Sequence, residues 1–104
     1  MDDFNQIQVP SSFLALFASP SGQRLLEPMA VVRKRYELCE DLAQMLAEQA
    51  ATALFKSGGT EAEVLEKMHK GLAAEGSPVQ PAEAAWVVRR LAELLGWPQS
   101  PDPH

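Results

Sequence analysis

The clearest pattern in the chain is a long stretch of helical periodicity over residues 28–57. Pro28 stands where a first helical residue tolerates proline, and no further glycine or proline occurs before Gly58. At 100° per residue, one side of this stretch is apolar and the opposite side is charged. The apolar side consists of Val32, Tyr36, Cys39, Leu42, Ala43, Met45, Leu46, Ala50, Ala53 and Leu54. The pattern predicts one long amphipathic helix.

Two shorter helices are predicted after the long one. Thr60 and Glu63 have the spacing of a capping box, which predicts a helix over residues 61–75. Pro81 suits the first position of a helix, and the apolar spacing behind it predicts a helix over residues 81–95. With no strand pattern of comparable length, the predicted fold class is all-α, a small helical bundle with one long central helix.

The two ends of the chain are predicted to be less regular. Residues 1–11 alternate apolar and polar positions and are expected to form an irregular arm, followed by a short helix over residues 12–18. Gly96 is the expected C-cap of the last helix, and the tail over residues 97–104, with three prolines, is expected to fray. The length of 104 residues predicts a single helical domain.

The length of the long helix raises the question of what covers its apolar side. Such a helix is about 43 Å long, whereas a compact domain of this size is about 30 Å across. Three arrangements would cover the apolar side: the helix bends, the N-terminal arm and first short helix pack on the remainder, or a second copy of the chain does so. Arg35 projects from the middle of the apolar side. Since an unpaired buried charge is costly, Arg35 is expected to meet a carboxylate, to extend past the helix end, or to lie in an interface.

Composition and charge narrow the classes of function. Hydrophobic residues make up 46% of the chain and charged residues 22%, as in ordinary globular proteins. The net charge of -5 opposes nucleic-acid binding, which needs a positive field, and residues 33–35 are the only basic run. The single cysteine excludes an intrachain disulfide, and no signal-peptide pattern or membrane-spanning apolar run occurs. We therefore expect a cytoplasmic protein that binds neither nucleic acid nor membranes.

Few residues suit catalysis or cofactor binding. Residues 56–60 have the residue types of a phosphate-binding loop in the wrong order, and they follow a helix, which favours a helix C-cap. Glu66 and His69 have the Glu-x-x-His spacing of di-iron bundles, but such bundles need a second copy of the motif and two further glutamates. Cys39 is expected to be a buried, inert thiol. We therefore expect that the protein is not an enzyme and binds neither a cofactor nor a metal ion. The alternative is a helical bundle that binds a metal.

The residues that favour a binding function lie mainly on the last helix. Trp86 projects outside the apolar stripe, and Arg89 and Arg90 are placed to stack on its indole ring. Exposed Trp and Arg are enriched at the energetic centres of protein interfaces. Alternatively, the N-terminal arm or the tail at Trp97 covers Trp86. The predicted partner-binding residues are Trp86, Arg89, Arg90, Arg35 and Trp97.

Two segments resemble a family of short proteobacterial proteins often labelled "ATPase with chaperone activity". They are residues 35–43, with the sequence RYELCEDLA, and residues 86–94, with the sequence WVVRRLAEL. The resemblance implies a chaperone-associated or nucleotide-linked accessory subunit, although no phosphate cradle for nucleotide hydrolysis is found in the chain. The preferred prediction is a non-catalytic interaction module that binds another protein, a second copy of itself, or both.

Overall fold

A computed structural model describes residues 8–98 of the chain. This part of the chain forms four α-helices, which are α1 (Ser11–Leu14), α2 (Met29–Ser57), α3 (Glu61–Ala73) and α4 (Pro81–Leu95). A 3₁₀ turn, Ala15–Phe17, follows α1, so the short helix predicted over residues 12–18 begins one residue earlier and tightens before its end. One isolated antiparallel bridge, between Ala18 and Leu25, is the sole β-pairing among the described residues. The all-α prediction is confirmed.

The predicted long helix is confirmed to within one residue. Pro28 lies just before α2, and its carbonyl accepts hydrogen bonds from the N–H groups of Val31 (2.9 Å) and Val32 (3.1 Å). At the other end Gly58 has a φ of 69°, in the left-handed region that favours glycine, and its N–H donates to the Leu54 carbonyl at 3.2 Å. The glycine pair therefore ends a helix, as the sequence predicts.

The predicted capping box fixes the start of α3. The N–H of Glu63 donates to Thr60 Oγ1 at 3.1 Å, and the N–H of Thr60 donates to Glu63 Oε1 at 3.0 Å. Two of the otherwise unpaired backbone donors at this helix start are satisfied in this way. The backbone becomes extended at Ala74, so α3 ends two residues before the predicted position 75.

A Schellman motif ends α4. Gly96 has a φ of 70°, its N–H donates to the Glu93 carbonyl at 3.2 Å, and the Trp97 N–H donates to the Ala92 carbonyl at 2.9 Å. Trp97 is half-buried and packs against the hydrophobic core. Both the backbone and the ring of Trp97 therefore make contacts within the fold, and the fraying of the tail from residue 97 stays a prediction. The predicted fraying of residues 99–104 lies outside the described residues.

The chain divides into two compact units, residues 1–38 and 39–104, with the boundary inside α2. The single-domain prediction stays a prediction. In the first unit Phe13 is fully buried, and its ring centroid lies 5.5 Å from that of Phe17 and 5.6 Å from that of Tyr36. Since Tyr36 belongs to the apolar side of α2, the first short helix covers part of that side.

In the second unit α2, α3 and α4 share one hydrophobic core. Its buried residues are Ala50, Val64, Leu65, Leu91 and Ala92. Partly buried residues around them are Leu46, Ala47, Ala53, Leu54, Met68, Val88, Leu95 and Trp97. Each fully buried leucine or valine side chain stabilises the fold by about 1.5–3 kcal/mol. This core fixes α3 and α4 side by side.

Candidate functional site

The burial of α4 determines which of its side chains reach solvent. At 100° per residue, the buried and half-buried positions of α4 cover an arc of about 240°, from Trp86 to Ala92. Beyond the first helical residue, the exposed positions form one narrow strip. They are Ala82, Ala85, Arg89 and Glu93. The exposed side chains of α4 beyond Pro81 are therefore confined to this strip.

Trp86 lies at the edge of the buried arc and is only 8% exposed. The prediction that Trp86 is exposed is therefore wrong, whereas its role in binding a partner stays a prediction. The aliphatic stripe of α4 underestimates the width of its buried face, which also includes Glu83, at 1% exposed. Glu83 Oε1 accepts a hydrogen bond from the N–H of Gln80 at 2.9 Å and so caps the start of α4.

Arg90 connects α4 to α2 through Glu40. Its Nε donates to Glu40 Oε1 at 2.9 Å and to Oε2 at 3.2 Å, and its Nη2 donates to Oε2 at 3.1 Å. Its Nη1 donates to Glu93 Oε1 at 3.2 Å, and Gln44 Nε2 donates to Glu40 Oε2 at 2.8 Å. The guanidinium is therefore occupied within the fold, which argues against Arg90 as a partner-binding residue.

The same hydrogen bonds shift the acid–base equilibria of the pair. The hydrogen bond from Arg90 lowers the pKa of Glu40 below its ordinary value, against the opposing effect of burial, and Gln44 adds to the lowering. The hydrogen bond to Glu40 likewise raises the pKa of Arg90, again against burial. Both groups are therefore held in their charged forms at neutral pH.

A groove of about 470 Å³ lies between α3 and α4. Its apolar floor consists of Leu65, Val88 and Ala92, of which Leu65 and Ala92 also belong to the core. Its walls carry Ala62, Glu63, Glu66 and His69 from α3, and Ala85 and Arg89 from α4, all of them exposed. Ala62 and Ala85 have short side chains, and of the floor residues Val88 is half-buried whereas Leu65 and Ala92 are buried.

The two walls of the groove carry opposite charges. Glu63 and Glu66 lie on the α3 wall and Arg89 lies on the α4 wall. Within residues 8–98, Glu66 and Arg89 make no hydrogen bond or ion pair through their side chains, and Glu63 uses one carboxylate oxygen for its cap. The charges of Glu66 and Arg89 are therefore exposed to solvent and do not pair with each other across the groove.

The five predicted partner-binding residues have different environments in the structure. Arg89 is exposed and lines the groove, Arg90 is bound to Glu40 and Glu93, and Trp86 is buried. Trp97 packs against the core, and Arg35 is half-buried in the first unit, where the three alternatives for its charge stay predictions. Of these five residues, the structure places Arg89 at the groove.

The groove also contains the Glu-x-x-His pair. Glu66 and His69 both line its α3 wall. Across the described residues, 8–98, no group of three or more His, Cys, Asp and Glu side chains is placed to hold a metal ion. Cys39 is buried, as predicted.

Comparison with known proteins finds no relative of this chain. No protein-family model, curated protein or solved structure matches the chain. The resemblance to the short proteobacterial family therefore stays a prediction. Among the helices of residues 8–98, none combines the length and the apolar character needed to cross a membrane.

Proposed function

We propose that this protein is a non-catalytic, cytoplasmic protein-interaction module whose binding surface is the groove between α3 and α4. The observation that carries the proposal is the combination of an apolar floor with exposed charges that form no ion pair within the described chain. Protein interfaces have this arrangement, with an apolar centre and a polar rim. Arg89 supports the proposal further, since arginine is enriched at the energetic centres of interfaces.

The size of the groove bears on the strength of binding. The lining residues extend from 62 to 69 along α3 and from 85 to 92 along α4, which is about 10 Å in each helix. A contact of this length buries less surface than a standard stable interface. We therefore propose weak, reversible binding of a short segment of a partner protein.

Site-specific photocrosslinking tests this proposal. A photoreactive amino acid at Ala85, in the groove, is compared with the same residue at Ala51, which is exposed on α2 and does not line the groove. In an extract of the source cells we expect a discrete adduct from position 85 that is absent from position 51. Arg89→Glu should weaken the adduct, whereas Lys34→Glu, an equal charge change at an exposed residue outside the groove, should not.

Two results of this experiment would favour other interpretations, namely a groove without a binding function or a second copy of the chain as the partner. Identical products from positions 85 and 51 would contradict a binding function for the groove. An adduct of twice the chain mass from the purified protein alone would identify a second copy as the partner, and static light scattering of the unmodified chain would then have to show a dimer.

A further inference from the structure

We infer that the groove binds an amphipathic α-helix of about two turns, with basic residues along one flank of its apolar stripe and acidic residues along the other. This inference rests on the proposed function and specifies the ligand of the same groove. Three features of the groove lead to it: its backbone, its dimensions and its charges.

The backbone of the groove favours a helical ligand over an extended one. Both walls are α-helices, whose backbone N–H and C=O groups are bonded within α3 and α4 themselves. An extended peptide would lay unpaired backbone groups on the apolar floor at Leu65 and Val88. A helix satisfies its own backbone and presents only side chains, as in other grooves that recognise amphipathic helices.

The dimensions of the groove set the length of the ligand. About 10 Å of each wall corresponds to two turns of helix, so the anchoring side chains are expected at positions i, i+3 or i+4, and i+7 of the partner. A small molecule is disfavoured because six lining side chains are exposed, whereas small ligands are usually buried over most of their surface. The same groove on a second copy is also disfavoured, because two concave surfaces cannot fill each other across a two-fold axis.

The charges of the groove determine the charge pattern and direction of the ligand. Glu63 and Glu66 on the α3 wall favour lysine or arginine on the adjacent flank of the bound helix, and Arg89 on the α4 wall favours aspartate or glutamate on the opposite flank. Reversing the direction of a bound helix exchanges its two flanks. A helix with opposite flanks therefore binds in one direction only.

Three synthetic helical peptides test the inference without knowledge of the natural partner. They share one apolar stripe of alanine and leucine and differ in their flanks: opposite charges, both basic, or both acidic. Affinity for the purified chain is measured by fluorescence anisotropy at low salt. Exposed ion pairs contribute about 0.2–1 kcal/mol each, so we expect the oppositely flanked peptide to bind about three- to thirtyfold more tightly than either other peptide.

Charge reversal in the protein should reverse this preference. In Arg89→Glu both walls are acidic, and the peptide with two basic flanks should become the tightest ligand. Lys34→Glu, the matched control, should keep the order of the wild type. Arg89→Glu changes an exposed residue without an ion pair in the described chain, so its fold is expected to persist and is checked by circular dichroism.

A second test fills the groove with a larger side chain and leaves its charges unchanged. Ala85→Leu places a larger side chain over the floor and should weaken binding of the oppositely flanked peptide about five- to 150-fold, because overfilling a packed contact costs about 1–3 kcal/mol. Ala51→Leu adds the same side chain to an exposed position of α2 and should have no effect.

The inference is overturned if no peptide binds below 1 mM, roughly the limit of a specific contact. It is equally overturned if the three peptides bind alike or if Ala85→Leu and Ala51→Leu behave alike. Any of these results together with a persisting crosslink at Ala85 would leave the interaction function in place and reject only the helical ligand. Loss of that crosslink would reject the proposed function itself.

Discussion

The two sides of α4 present the same residue type in opposite roles. Arg90 lies on the side that faces α2, where its guanidinium bonds to Glu40 and Glu93. Arg89, the preceding residue in the chain, lies on the exposed strip, where it lines the groove and its side chain makes no hydrogen bond or ion pair in the described chain. The charge and the side-chain length are identical. Their orientation relative to the packed helices distinguishes a residue that is bonded within the fold from one that we propose binds a partner.

The two arginines differ in how firmly the surrounding residues hold the guanidinium group. Three of the bonds of Arg90 go to one carboxylate in side-on geometry, so the guanidinium is fixed by several contacts at once. Arg89 keeps its rotamer freedom in the free protein and would lose it only on binding. Changes on the Arg90 side should therefore affect folding, and changes on the Arg89 side should affect recognition.

The largest effect is expected from the buried side of α4. Leu91 is fully buried in the core of the second unit, so Leu91→Ala should lower the free energy of unfolding by about 2–5 kcal/mol through lost burial and a remaining cavity. Urea denaturation measures the change. Leu26→Ala, at a residue that is 61% exposed, is the control and should change the stability by less than about 0.5 kcal/mol. Equal effects of the two substitutions would contradict the assigned core.

The next largest loss of stability is expected from replacing Glu83, one of the two glutamates that cap helix starts. Glu83 and Glu63 occupy the same position in α4 and α3, but Glu83 is 1% exposed whereas Glu63 is exposed. Glu83→Ala should cost about 1–3 kcal/mol, because the buried cap of Gln80 is lost, and Glu63→Ala should cost less, about 0.5–1 kcal/mol. Thermal and urea unfolding of the two variants give the comparison. A larger effect at Glu63 would show that burial does not control the strength of these caps.

A smaller effect separates the two arginines directly. Arg90→Ala should lower the free energy of unfolding by about 1 kcal/mol, since a half-buried, multiply bonded ion pair lies at the upper end of surface pairs. Arg90→Lys should recover only part of this, because lysine cannot reproduce the side-on geometry. Arg89→Ala should leave the stability unchanged within error. If Arg89→Ala destabilises the chain as much as Arg90→Ala, the two sides of α4 do not differ.

The smallest expected effect is the pH dependence of the same ion pair. Hydrogen bonding to Arg90 lowers the pKa of Glu40 in the folded chain, so its contribution is present above the unfolded pKa, near 4.5, and is lost as the pH falls through the lower folded value. Glu40→Gln removes this ionisation. The difference in unfolding free energy between the wild type and Glu40→Gln should therefore be constant near pH 7 and shrink below about pH 4.5. A difference that grows on acidification would have the wrong sign.

The features that depend on local sequence could be predicted, and the structure confirms them. The long helix follows from uninterrupted periodicity between Pro28 and Gly58, and the capping box at Thr60 and the C-cap at Gly96 follow from short-range backbone chemistry. These signals depend on residues within a few positions of one another. They are therefore readable without knowledge of how the helices pack.

The candidate site depends on packing and could be predicted only in part. Arg89 is among the predicted residues, but its groove arises from the way α3 and α4 lie side by side, which neither helix encodes alone. The partner of Arg90 lies fifty residues away in sequence, at Glu40. The predicted exposure of Trp86 is wrong because the inner face of α4 is wider than its aliphatic stripe. The exposed alanines at 62 and 85 are the sequence signal that points to the groove.

The most direct test of this account is an amide chemical-shift titration of the uniformly ¹⁵N-labelled chain with the oppositely flanked helical peptide. We predict that the largest shifts occur over residues 62–69 and 85–92, which line the groove. Amides around Glu40 on α2 should change little, because Glu40 lies outside the groove and is bonded to Arg90 within the fold. Shifts concentrated at other exposed apolar residues, such as Phe55 or Leu26, with none along the groove, would contradict the account.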